Sequence, residues 1–327
     1  MQNLLGQRCD KANAWAQKND KNSPRTATWC SARFSIPPRS NHCGGPLTAW
    51  SIGHTRRLYD SAKIAHLYEG AAFQERWARV DREYQGHPNR QPLARSWGGA
   101  ELLDRAVYDL YTHPRLTAIA TALLGAELTA NGDFWVRPMV PQDAHTTFTW
   151  HQDSFYYGGQ IRPQLQILSV WIPLVDVDER NGCLRLVPGS HRFGAIPKRP
   201  APHGQFEPER EIGCYGAPLD VPLQVGDVLF FHNLALHASG RNQVENQVRW
   251  SIDLRYAPTG QSRAWHGLGE EFNLQYPCFT AHSKDPTQVE SWEQWRRRWE
   301  RKNHLRKGPA MGAQKITHRC AGKADGA

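Results

Sequence analysis

LQILSVWIPLVDV, residues 165–177, is a run of β-branched, aliphatic and aromatic residues, the texture of a β-strand. Working outward, four more runs have the same texture: ELTANGDFWVRPM (127–139), CLRLVPGS (183–190), VGDVLFFHN (225–233) and VRWSIDLRYAP (248–258). Gly, Pro, Asn and Asp break the chain between them, and no helical period intervenes. Many short strands without crossover helices point to a sandwich or a jelly roll over 127–257.

Helical periodicity flanks this region. Residues 58–84 and 100–124 carry apolar side chains at helical spacing, with an interruption near Pro114. Leu102, Leu103, Ala106 and Leu110 share one face, and Gly125 is placed to end the second helix. Beyond the strands, 290–302 (ESWEQWRRRWERK) reads as a helix whose Trp292, Trp295 and Trp299 form a stripe that packs on the β-region. Residues 1–57 differ from the rest. They are rich in Ser, Arg, Pro and Asn, with no acid between Asp20 and Asp60, and are expected to be a disordered or atypical extension.

The chain of 327 residues is 39% hydrophobic and 22% charged, which suits a globular protein. Its formal charge is +9, but residues 295–323 hold ten Lys or Arg against one acid, Glu300. The basicity therefore belongs to a C-terminal tail, read as a solvated end rather than a nucleic-acid surface. No apolar run is long enough for a membrane span. The expected location is cytoplasmic, with a transit peptide as the alternative reading of the acid-poor leader. Seven cysteines lack any CxxC or zinc spacing and are expected as free thiols, Cys183 as a small buried hydrophobe.

Trp150-His151-Gln152-Asp153 is the sharpest chemical signal. At a strand end, His151 and Asp153 project from the same side, delivering an imidazole and a carboxylate as two corners of a facial triad for iron. A distant His must complete it. The strand opened by Gly226-Asp227 offers His232 and His237, of opposite parity, so a regular strand aims only one of them inward.

HQD, VWIPLVDVDERNGCLRLVPGSHR, GDVLFFHNLALHASGRN and VRWSIDLRY, in this order, resemble the phytanoyl-CoA dioxygenase family of Fe(II)/2-oxoglutarate oxygenases, from about 100 to 260. The resemblance implies a mainly β fold with flanking helices, a double-stranded β-helix of the jelly-roll, cupin-like kind. It implies Fe(II) held by His151, Asp153 and His237, leaving His232 as a strand residue. It further implies 2-oxoglutarate as co-substrate with O2, its far carboxylate gripped by Arg249, a bidentate and permanently charged partner. Arg255 competes for that role but sits at the end of the strand run and reads as structural. Gln152, Trp171 and Ser239 match positions lining the co-substrate pocket, and Arg137 matches a basic position on a preceding strand. For Trp171 an ordinary core place is an equal reading, and for Arg137 a surface place or a structural salt bridge.

On this resemblance 58–290 is one oxygenase domain, with a helical layer over 58–125 and the jelly-roll core over about 127–260, and 291–327 is a helix with the basic tail. The expected reaction is hydroxylation of an unactivated C–H bond of a small molecule, releasing succinate and CO2. The presence of Asp153 favours it over halogenation, which in relatives goes with loss of that carboxylate. Phe155, Tyr156 and Tyr157 border the substrate cavity or serve packing, and 194–220 reads as a loop or lid. Neither substrate nor oligomeric state is legible. Two rival classes are a non-oxygenase metal enzyme on a cupin-like barrel and a non-catalytic binding protein that uses its basic tail.

Overall fold

The structure is a computed structural model that describes residues 29–33, 44–87, 97–98, 103–157, 165–261 and 277–306. The basic tail after Arg306, the first 28 residues and Leu102 lie outside these. Helices form where the apolar period is helical and capped. α1 (Gly44–Asp60) and α2 (Phe73–Gln85) replace the continuous helical stretch expected over 58–84. Between them Ala62 and Tyr68 take φ of 54° and 52°, a left-handed conformation that a helix cannot contain. α3 (Arg105–Tyr111) starts at Asp104, whose carboxylate accepts from the Ala106 amide at 2.8 Å. α4 (Pro114–Leu124) has Pro at its first position, and Gly125 ends it at φ 100°.

The strands are β1 (Trp29–Arg33), β2 (Trp97–Gly98), β3 (Leu128–Ala130), β4 (Trp135–Met139), β5 (Leu168–Pro173), β6 (Leu184–Leu186), β7 (Lys198–Ala201), β8 (Gln205–Pro208), β9 (Leu219–Val221), β10 (Asp227–His232), β11 (His237–Ser239), β12 (Arg249–Pro258) and β13 (Phe279–His282). The main antiparallel sheet runs β1-β10-β5-β12-β3-β13, with β4 also paired to β12 and β2 paired to β4. A second sheet is β11-β6-β9, and β7-β8 is a separate hairpin. β1 lies in the stretch read as an extension, yet it pairs with β10 from Trp29↔Phe231 to Arg33↔Asp227.

The expected mainly β jelly roll is corrected here. Helical residues outnumber strand residues, and among the described residues no sheet closes into a barrel or jelly roll. The fold is a mixed α/β one with several antiparallel sheets. The five strand runs read from sequence all contain strands, but the other strands, the pairing and the absence of closure were not read from it. In the second sheet β6 and β11 are only three residues each.

β12 shows how sequence positions the site. Its even residues, Trp250, Ile252, Leu254 and Tyr256, are buried and pack under the helices. Phe73 of α2 stacks on Trp250 with centroids 4.8 Å apart, and Tyr256 meets Tyr111 of α3 edge-on at 5.5 Å. The helix α5 (Trp292–Arg306) adds Trp295, fully buried against Phe279, Phe134 and Tyr111. The odd residues of β12, Arg249, Ser251, Asp253 and Arg255, are equally buried but on the opposite face. Three of these four, Arg249, Asp253 and Arg255, line a small cavity of about 50 Å³ between the large and small sheets.

Candidate metal centre

His151 and His237 are brought together by backbone pairing. Each donates its amide to the other's carbonyl, at 2.9 and 3.0 Å, as an isolated antiparallel bridge continuing β11. Their rings lie 4.1 Å apart. Asp153 reaches the same spot by a different route from the strand geometry expected: the chain turns after Gln152 into a single 3-10 turn, Asp153–Phe155. That turn is pinned by the Ser154 amide and hydroxyl, both donating to the Asn233 carbonyl at 3.1 and 3.0 Å.

The three side chains are buried, and one ligand atom from each lies within 4.8 Å of the others. Asp153 Oδ1 stands 3.8 Å from His151 Nε2 and 3.7 Å from His237 Nε2. Both Nδ1 atoms face carbonyls, of Thr149 at 2.7 Å and of Ala235 at 3.0 Å. Nδ1–H donation to those oxygens leaves each Nε2 lone pair pointing at the shared space, the tautomer a metal needs. Burial, reinforced by the neighbouring His237, pulls the His151 pKa down to about 3, and burial lowers His237 as well. Burial alone would raise Asp153, but Arg255, the two imidazoles and the Ser169 hydroxyl hold its carboxyl below the usual range. Two neutral imidazoles and one carboxylate on one side of a cavity fit a divalent transition metal with its remaining positions open. Among the described residues this is the one such cluster.

Four arginines approach this region, and their partners differ. Arg137 makes a two-point ion pair with Asp253, at 2.6 and 3.0 Å, and lies over Phe148. Arg255 bonds Asp253 Oδ2 at 2.7 Å and the Asp133 carbonyl at 3.2 Å, with its Nε 3.5 Å from Asp153 Oδ2. Arg185 pairs outward with Asp220 at 3.0 Å. Arg249 is 3% exposed and, among the described residues, has only neutral partners, the Ser251 hydroxyl at 2.7 Å and Met139 Sδ at 3.4 Å, while its Nε has none there. Burial and repulsion from Arg137 lower its pKa to about 10, so it remains a cation at neutral pH.

Of the other residues singled out from sequence, Trp171 and Ser239 line the cavity, with Arg249 lying 5.4 Å from the Trp171 ring. Gln152 does not line it. Its amide donates to the Gly194 and Leu234 carbonyls at 2.9 and 2.7 Å and accepts from Ile196 at 3.2 Å, tying the following loop down. Phe155 and Tyr157 are buried in packing. Tyr156 sits 5.7 Å from the His151 ring. His232 is apart from the triad, its Nδ1 accepting from the Leu234 amide. The 194–220 insert carries the β7-β8 hairpin, whose Gln205 bonds both the Thr149 amide and the Thr147 carbonyl. Sequence reading missed Ser169, whose hydroxyl bonds Asp153 Oδ2, and Asp253. The signal was present for Asp253: it has the parity of Arg249 and Arg255.

The site is thus a facial metal-binding triad of the type found in Fe(II)/2-oxoglutarate enzymes. The sequence profile of the phytanoyl-CoA dioxygenase (PhyH) family matches residues 67–249, and the chain belongs to that family. It is 34% identical over 115 residues to the peroxisomal phytanoyl-CoA dioxygenase of Bos taurus, covering 33% of this chain and 32% of that protein. It is 29% identical over 175 residues to 1-deoxypentalenic acid 11-beta-hydroxylase of Streptomyces exfoliatus, covering 49% of this chain and 60% of that one. The matched stretches therefore span about a third of the bovine protein and 60% of the Streptomyces one, in both cases less than two thirds. Among solved structures, the apo form of a non-heme monooxygenase, ThoJ, is similar over 86% of this chain and 98% of that one, at 18% identity and a TM-score of 0.49. The cytoplasmic location expected from sequence gives way at this point, because the bovine relative and its mouse and rat counterparts are peroxisomal proteins. No helix among the described residues is long and apolar enough to cross a membrane.

Proposed function

We propose that this protein is an Fe(II)- and 2-oxoglutarate-dependent dioxygenase that hydroxylates a C–H bond of a small molecule. The observation that carries the reading is Arg249: a buried guanidinium, without an acid partner among the described residues, on the wall of the same cavity as the triad. A buried cation left with neutral neighbours is costly unless an anion joins it. The far carboxylate of 2-oxoglutarate meets that need, and a guanidinium holds a carboxylate at two points.

In this reading His151 Nε2, Asp153 Oδ1 and His237 Nε2 hold Fe(II), and Arg249 fixes the co-substrate. Trp171 and Ser239 shape the co-substrate's side of the cavity. Arg137 bounds it while paired to Asp253, and Gln152 holds the loop behind the ligands. The chemistry supplied by the bound metal is oxidative decarboxylation of 2-oxoglutarate to succinate and CO2, with one oxygen atom of O2 entering succinate and the other the substrate. The protein's own contribution is ligation, orientation and exclusion of water by Phe148, Phe231 and Leu184 around the triad. Residues 58–290 are taken as the catalytic domain.

Anaerobic addition of Fe(II) and 2-oxoglutarate to the purified protein tests this reading. A weak visible charge-transfer band that needs both components and disappears in His237→Ala is expected, followed in air by succinate release. Folded, metal-loaded protein without the band would overturn it.

A further inference from the structure

We propose that Arg255 is a positioning residue that makes Asp153 a one-oxygen metal ligand, and that Asp253 and Arg137 lock Arg255 in place. The inference rests on the triad being a metal site. The two carboxylate oxygens of Asp153 have different surroundings. Oδ1 faces both imidazole Nε2 atoms, at 3.8 and 3.7 Å. Oδ2 takes the Ser169 hydroxyl and stands 3.5 Å from Arg255 Nε. A carboxylate free to turn about its Cβ–Cγ bond can offer either oxygen or both, and two-oxygen ligation would consume a position that co-substrate and oxygen require. Holding Oδ2 back prevents it.

Ser169 alone cannot do this, since a hydroxyl rotor follows its acceptor. Arg255 cannot follow. It is 6% exposed, and its NH1 is fixed by Asp253 Oδ2 at 2.7 Å and the Asp133 carbonyl at 3.2 Å. Asp253 is in turn held by both arms of the Arg137 fork, at 2.6 and 3.0 Å. Arg137 pairs with Ser251 across β4 and β12, so Arg137, Asp253 and Arg255 stand on two hydrogen-bonded strands and meet Asp153 from the 3-10 turn that carries it. The charges of this column alternate in sign: Asp253 contacts both Arg137 and Arg255, and Asp153 contacts Arg255. In a buried setting such a column resists rearrangement, because moving one member strands its neighbour. Arg249 lies outside it, so metal ligation and co-substrate anchoring are assigned to different arginines of one strand.

The test is a titration of apoprotein with Co(II) alone, read by visible absorption, beside the 2-oxoglutarate KM at saturating Fe(II). Arg255→Gln should weaken Co(II) binding about tenfold or more and alter the Co(II) spectrum, with the 2-oxoglutarate KM little changed. Arg255→Lys should recover part of the affinity, and Arg249→Gln should show the reverse split. Wild-type Co(II) affinity and spectrum in Arg255→Gln, or a loss seen only in the 2-oxoglutarate KM, would overturn the assignment. Should Arg255→Gln not fold, Asp253→Asn decides by the same Co(II) titration, and unchanged binding there sinks the proposal. If the wild type binds Co(II) through His237 yet gives no 2-oxoglutarate-dependent band, the proposed function fails and the positioning role stands. If it binds no Co(II), both fall.

Discussion

Arg249 and Arg255 are six residues apart on one strand and chemically identical, yet their surroundings give them opposite fates. Arg255 is paired with acids, bonding Asp253 and standing 3.5 Å from Asp153; Arg249 touches a hydroxyl and a thioether. Replacing Arg249 by Gln is expected to cost about 2 kcal/mol or more of 2-oxoglutarate binding, on the order of 30-fold in KM, with metal affinity intact. Initial rates against 2-oxoglutarate at saturating Fe(II) measure this directly. A second residue-scale outcome concerns pH. The folded pKa of His151 is lowered from 6.5 to about 3, so between those values the unfolded chain binds a proton that the folded one refuses. Stability of the metal-free protein should therefore fall as pH is lowered through that window, by up to about 1.4 kcal/mol per pH unit from this group. His237, also lowered by burial, acts in the same direction. Melting temperatures of apoprotein at pH 7.5 and 5 are the check, and His151→Gln should flatten the slope. HQD was legible in the sequence as a local pattern, whereas His237 was set apart from His232 only by the family resemblance; the fold is what brings the three side chains together. The roles of the two arginines depended on Asp253 and Asp153, which only the fold brings to Arg255.

At the scale of elements, the turn before β6 supports Arg249 from behind. Gly182 has φ 87°, and a Cβ there would lie 2.6 Å from Met139 Sδ and 2.8 Å from the Gly240 carbonyl. That sulfur is the one Arg249 touches. Gly182→Ala therefore combines a strained backbone with a push on the Arg249 pocket. A loss of about 2 kcal/mol in stability is expected, read by urea unfolding, together with a raised 2-oxoglutarate KM. The strand runs themselves were readable because their composition alternates or stays apolar over five or more residues. The split of 58–84 into two helices was not, since Ala62 and Tyr68 are ordinary helix residues whose left-handed backbone comes from tertiary context.

Across the whole molecule, the helices do more than cover a β-core. Trp295 of α5 is fully buried, donates its indole N–H to the Pro277 carbonyl at 2.6 Å, and meets Tyr111 and Phe279. It joins the C-terminal helix to α3 and the sheet edge. Trp295→Ala is expected to cost about 3 to 5 kcal/mol by leaving a cavity, measured by denaturant unfolding, while the folded fraction keeps its metal affinity. The tryptophan stripe was visible in sequence as a packing face. The balance of helix over strand and the open sheets were not, because strand count does not encode closure. The notion of residues 1–57 as an extension is likewise qualified by β1, whose pairing partner lies some 200 residues downstream in β10.

β12 carries one consequence for how this protein can vary over generations. Its odd positions hold Arg249, Asp253 and Arg255, and its even positions hold Trp250, Ile252, Leu254 and Tyr256 under the helices. Insertion or deletion of a single codon inside this strand would exchange the two sets, driving guanidinium groups into the helical layer and aromatic rings into the cavity. Length changes here are tolerable only in pairs. Point substitutions can retune the chemistry one residue at a time, so this strand is open to drift in identity and closed to drift in length.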